Sequence, residues 1–207
     1  MCMRKAEKII IALLIFPAPI LFCMLVAAVC IFLCDMKDPF AGYLGLSSIA
    51  VGVLIDIFFL KGWIKKAYEF DNIALAFVYI FYSIIAWGLG MGVPLFNIGV
   101  GVSAGVFIAL KLNSSNAYEH ECKQKIKKCA FFTAAVLTFV CCLSGFWAII
   151  GGLVGSEFEI GAISFNFTVK IIITLTLAGG LVLALLQYWL TKAAAATTLR
   201  LKNRFYR

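Results

Sequence analysis

Charge is what this chain has least of. Only 14% of its 207 residues are Asp, Glu, Lys or Arg, against 64% hydrophobic residues, and it has a single histidine, His120. The mean hydropathy is +1.04. A water-soluble domain of this size covers itself with far more charge, so a soluble fold would expose apolar patches beyond what folded proteins tolerate. Other absences bear on chemistry. There is no C-x-x-C pair, no H-E-x-x-H and no phosphate-binding loop. The apolar stretches contain one carboxylate, Asp56, and no histidine. Hydrolysis or group transfer there lacks an acid/base pair or a metal cluster. Neither an enzymatic activity nor a cofactor or metal is expected.

What is there is a series of long uncharged runs. Ile9 to Cys34 carries no charge, which at about 1.5 Å per residue exceeds the ~30 Å hydrocarbon core of a bilayer. Pro39 to Leu60 carries only Asp56, while Asn72 to Leu110, Cys129 to Ser156 and Ile171 to Thr191 carry none. The run from Asn72 is too long for one crossing and must fold back. Gly88, Gly90, Gly92 and Pro94 mark the turn, with Pro94 suited to the first turn of the following helix because its missing N–H would be unpaired there. The expected fold is all-α: a polytopic membrane bundle of six transmembrane helices near residues 9–34, 41–62, 73–90, 94–111, 130–153 and 169–191. Pro17 and Pro19 are expected to kink or tilt the first of these. That first apolar run is too long for a cleaved signal peptide and is read as an anchor. Residues 154–169 are expected as a loop at the outer interface.

With six crossings, basic residues fall almost entirely on one side. Arg4, Lys5 and Lys8, the Lys61–Lys66 group, the Lys111–Lys128 group and the Lys192–Arg207 group share it, leaving only Lys37 and Lys170 of the 18 basic residues opposite. The excess predicts both termini in the cytoplasm. The chain 1–207 is read as one transmembrane domain with a short basic tail over 192–207 that continues the last helix. Its expected setting is the cytoplasmic membrane of a prokaryote. The net charge of +8 is a topology signal, and the tail is placed to lie against anionic lipid headgroups. Nucleic acid is not an expected partner, because the basic residues interleave with Glu69, Asp71, Glu119 and Glu121.

Small and polar residues recur along the helices at a period of 3.6. They form stripes of Gly45, Ser48, Gly52 and Asp56 in the second; Asn97, Gly101 and Gly105 in the fourth; Thr138, Cys142, Gly145 and Gly152 in the fifth; and Thr176, Gly180, Ala184, Gln187 and Thr191 in the sixth. Gly45, Ser48, Gly52, Gly101, Gly105, Gly180 and Ala184 are read as helix-packing positions, since small residues let backbones approach where apolar surface alone drives no association. Asp56, Asn97 and Gln187 are the candidates for a transport or ion-coupling site. A carboxylate within the bilayer is costly, about 2.5–3.5 kcal/mol on insertion scales, and such residues commonly have a role. Cys23, Cys30 and Cys34 share a face and Cys141 adjoins Cys142, a soft-metal possibility outweighed by cysteine's use as a small buried apolar residue. His120 lies among Glu119, Glu121 and Cys122 in no zinc spacing, and Glu121 precedes Lys125 in the favourable helical order, so a charged solvated loop is expected there. Asn166-Phe167-Thr168 is a formal glycosylation sequon at the start of the last helix.

The leading functional expectation is a small membrane channel or carrier for a solute or ion. The alternative is a non-catalytic subunit or assembly factor of a larger membrane complex, packed through its small-residue faces against a membrane partner or another copy of itself.

Overall fold

The structure, a computed structural model, describes residues 5–35, 39–89, 94–114, 119–151, 157–160, 163–166 and 168–204. Its elements are α1 (Lys5–Ile15), α2 (Pro17–Leu33), α3 (Phe40–Lys66), α4 (Asn72–Leu89), α5 (Phe96–Ser114), α6 (Glu119–Ile150), β1 (Glu157–Ile160), β2 (Ile163–Asn166) and α7 (Val169–Arg204). Among the described residues, the spans Glu7–Leu33, Phe40–Lys66, Phe96–Ser114, His120–Ile150 and Val169–Leu201 are long and apolar enough to cross a membrane. Asn72–Gly88 is apolar but shorter. The chain is a helical membrane protein, and its large exposed side chains, such as Phe32, Phe58, Phe77 and Phe131, are apolar along these spans. It divides into two compact units, Met1–Ala74 and Leu75–Arg207.

In the first unit, the long first span is interrupted where the prolines predict. Pro17 and Pro19 have no N–H, so the carbonyls of Leu13 and Ile15 lose their helical donors. The Phe16 N–H still donates to Ala12 O at 2.8 Å, and Phe16 keeps helical dihedrals. α2 ends with Cys34 N–H donating to Cys30 O at 3.0 Å, followed by Asp35 at φ 47. A short polar side chain tolerates that left-handed conformation better than most. α3 then packs on α2, with Ser48, Gly52 and Asp56 as its buried positions. Just beyond α3, Ala67 is fully buried. Burial, and secondarily the charge of Glu7, push the Tyr68 phenol above the ordinary tyrosine range, so it stays a neutral hydroxyl.

In the second unit, α5, α6 and α7 pack together, and side chains of α4 bond to α6. Paired positions give the directions. Gly101 meets Gln187 and Gly105 meets Thr191, so α5 and α7 run parallel. Gly145 meets Thr176 and Gly180 meets Cys141, so α6 and α7 are antiparallel. Tyr79 pairs with Thr133 and Trp87 with Ser144, so α4 runs with α6. Directions therefore alternate along the chain within this unit, as successive crossings require.

One expectation is corrected in this unit. Residues 119–129 are not a solvated loop: α6 starts at Glu119, about a dozen residues before the expected boundary. The reason is an apolar line through its charges, with Ile126 packed with Ala109 and Leu112 of α5 and Ala195 of α7, and Cys122 and Leu199 beside them. Charge on one face of that segment hid the core on the other. The bundle itself is helical as expected, with one short addition outside it. β1 and β2 pair antiparallel, Glu157 opposite Asn166 and Ile160 opposite Ile163, within the expected outer loop. Alternation of β-forming Phe and Ile with polar residues suits a strand pair. Thr168 then caps α7, its Oγ1 accepting from Ile171 N–H at 3.4 Å. The threonine of the sequon thus has a structural place of its own.

α7 is continuous to Arg204, which bears out a helical tail over most of 192–207. At about 1.5 Å per residue its 36 residues extend to ~54 Å, well beyond a bilayer core. Lys192 Nζ lies 5.3 Å from the Trp189 ring centre and 5.9 Å from that of Tyr188. This is the amphipathic pattern found where a helix leaves the hydrocarbon.

Candidate functional site

In the second unit, polar side chains from all four helices are buried in otherwise apolar surroundings: Tyr79 and Ser83 of α4, Asn97 of α5, Thr133 of α6, and Gln187 and Thr191 of α7. Their spacing puts them there. Tyr79 and Ser83 are four residues apart, as are Gln187 and Thr191, so each pair occupies one helix face. On α5 the same spacing aligns Asn97 with Gly101 and Gly105, which have no side chains and let α7 come close. A Cβ on Gly101 would overlap the Gln187 amide, and one on Gly105 would meet the Thr191 carbonyl. Asn97 is one turn further along this face. From Thr191 to the level of Asn97 the polar column covers two turns, about 11 Å, beginning next to Lys192.

Part of the column is internally bonded. The Thr133 and Thr191 hydroxyls are 3.2 Å apart, and Thr133 Oγ1 donates to Ala130 O at 3.0 Å. Gln187 Nε2 donates to Thr191 Oγ1 at 3.4 Å. The Tyr79 hydroxyl donates to Thr133 O at 3.5 Å, a long contact, and lies beside Ser83 and Gln187 without a well-aligned bond to either. Interhelical hydrogen bonds in lipid average roughly 0.6 kcal/mol, so these hold register more than they add stability. Further along α4 and α6, Trp87 Nε1 donates to Ser144 Oγ at 2.8 Å.

The rest of the column is unsatisfied. Both amide atoms of Asn97, Gln187 Oε1 and Ser83 Oγ are buried with no hydrogen-bond partner. A buried polar group left unpaired costs about 1–3 kcal/mol, and most such groups in native structures are bonded to protein or water. Several around one column are a reason to look for a ligand or water there.

Of the three residues expected to carry transport, the structure brings Asn97 and Gln187 to neighbouring turns of two packed helices. Asp56 belongs to the first unit. It is 1% exposed, and neither carboxylate oxygen has a hydrogen-bond partner. Four residues before it, Gly52 marks a close crossing: a Cβ there would be 2.6 Å from Ile20 Cα. Ser48 is buried and donates to Gly45 O at 2.7 Å. The other packing positions divide. Gly180 is buried against Cys141 and Ala184 is half-buried, but a Cβ at Gly45 would meet nothing within 4 Å. The fifth-helix stripe does not hold as a face, since Thr138 and Cys142 are exposed and only Gly145 is buried, against Thr176; Gly152 lies outside the described residues.

Sequence reasoning passed over Tyr79, Ser83 and Thr133. The available signal was the four-residue spacing of Tyr79 and Ser83 in an apolar helix. It also passed over a pattern match: Gly101-Val102-Ser103-Ala104-Gly105 spells the G-x-S-x-G of hydrolase nucleophile elbows. Here it lies within the uninterrupted helix α5 rather than on a strand-to-helix turn, and its glycines serve packing on α7. Among the described residues no group of three or more His, Cys, Asp or Glu is placed to hold a metal.

The fold and this column define a class, a polytopic helical membrane protein with a buried neutral polar column in its second unit. Comparison with protein-family models, with curated proteins and with solved structures gave no match.

Proposed function

We propose that the protein is a small, non-catalytic membrane transport protein, and that its solute path runs along the polar column of the second unit. One observation carries the reading: amide and hydroxyl atoms of Ser83, Asn97 and Gln187, on three helices of the second unit, are buried without a hydrogen-bond partner. Polar residues inside transmembrane helices are costly and commonly mark substrate or ion pathways. The basic excess supports a membrane orientation with both termini, the α6 start and the α7 tail on the cytoplasmic side, where the tail meets anionic headgroups. A prokaryotic cytoplasmic membrane fits that charge bias.

The test is flux into liposomes carrying the purified protein, against protein-free liposomes. The expected result is protein-dependent solute entry that falls in Gln187→Leu. Absence of any flux, across neutral solutes and ions alike, would remove the transport reading. A second reading, a subunit of a larger membrane complex, is favoured by Gly42 and Gly45 of α3, where an added Cβ would meet nothing within 4 Å. A defined second protein that stays bound through purification in mild detergent would move that reading to first place.

A further inference from the structure

The column's chemistry narrows what it would carry. Its six side chains, Tyr79, Ser83, Asn97, Thr133, Gln187 and Thr191, are all neutral. The nearest basic group along the chain, Lys192, is exposed and extends over the Tyr188 and Trp189 rings instead. The unpartnered atoms are of both kinds. Asn97 Nδ2 donates, Asn97 Oδ1 and Gln187 Oε1 accept, and Ser83 Oγ does either.

A bare cation would have to replace its hydration shell with oxygens alone, and the Asn97 N–H groups oppose it. An anion would face the Asn97 and Gln187 carbonyl oxygens without a basic partner. A molecule that itself donates and accepts meets every unpartnered group. Size is bounded too, because Gln187 and Thr191 already fill the space a side chain at Gly101 or Gly105 would take. We infer that the column binds a small uncharged solute rich in hydroxyl or amide groups, of the size of glycerol or urea. This rests on the transport reading and adds the class of solute to it.

The experiment is stopped-flow light scattering of proteoliposomes after osmotic challenge with glycerol or urea, with Na⁺ and K⁺ flux measured in the same preparation. The expected result is protein-dependent entry of glycerol or urea, reduced about tenfold in Asn97→Leu. Because that change alters shape, Ser83→Ala is the second variant. It removes a hydroxyl whose nearest polar neighbour is the poorly aligned Tyr79 hydroxyl, so it should change the thermal unfolding midpoint little while slowing entry. Na⁺ or K⁺ flux without entry of neutral solute would overturn the solute class and leave transport standing. No flux of any kind would overturn both. Full glycerol and urea entry in a folded Ser83→Ala and Asn97→Leu pair would remove the column as the route.

Discussion

Asp56 and Asn97 present the same physical problem in two different units: a buried polar side chain whose atoms find no partner. For such groups, removal and replacement have different consequences. Taking away a bonded partner leaves an orphan, whereas substituting an apolar side chain of similar size for an orphan removes its desolvation cost. Asp56→Leu is therefore expected to stabilise the fold by about 1–3 kcal/mol, read from unfolding in mixed micelles. A loss of stability would mean that the carboxylate has a bonding partner in the membrane. Asp56→Asn asks about function separately. If Asp56 couples an ion or proton to solute movement, this variant folds and loses flux; unchanged flux in a correctly folded protein would exclude that role.

At the scale of elements, glycines that look alike in sequence behave differently according to what crosses them. Gly45, Gly52 and Gly101 all sit on small-residue stripes, yet a Cβ has open space at Gly45, lies 2.6 Å from Ile20 Cα at Gly52, and overlaps the Gln187 amide at Gly101. Gly101→Ala is expected to cost about 1–3 kcal/mol through overpacking of α5 against α7. Gly45→Ala is expected to be neutral or to stabilise by up to ~1 kcal/mol, since alanine restricts the unfolded chain and favours helix. Thermal unfolding of the two variants side by side checks the contrast, and equal effects would contradict the α5–α7 crossing. The same elements explain why α6 begins early. A helix that leaves the bilayer can carry charge on its exposed face while Ile126 joins Ala109, Leu112 and Ala195 inside.

At the scale of the whole molecule, the membrane orientation is open to direct test. Cys34, exposed at the end of α2, and Cys122, half-buried near the start of α6, belong to opposite sides in the six-crossing reading. In otherwise cysteine-free variants of intact cells, a membrane-impermeant maleimide is expected to label Cys34, and Cys122 only after permeabilisation. The reverse pattern would invert the topology. Labelling of both without permeabilisation would break the six-crossing alternation.

Long charge-free runs determined, without any structure, that the chain is a helical membrane protein and roughly where its helices lie. Transfer of apolar residues out of water is a property of each segment alone, so it can be read one stretch at a time. Proline chemistry likewise marked the interruption before Pro17. The tertiary structure decided which polar residues meet. Asn97 and Gln187 are 90 positions apart in sequence, and only the parallel register of α5 and α7, made possible by Gly101 and Gly105, brings their levels together. It also decided that Thr133 faces Thr191 while Thr138 and Cys142 face outward. A periodic stripe defines a helix face, but the partner across that face depends on crossing and register, which arise only when the helices pack.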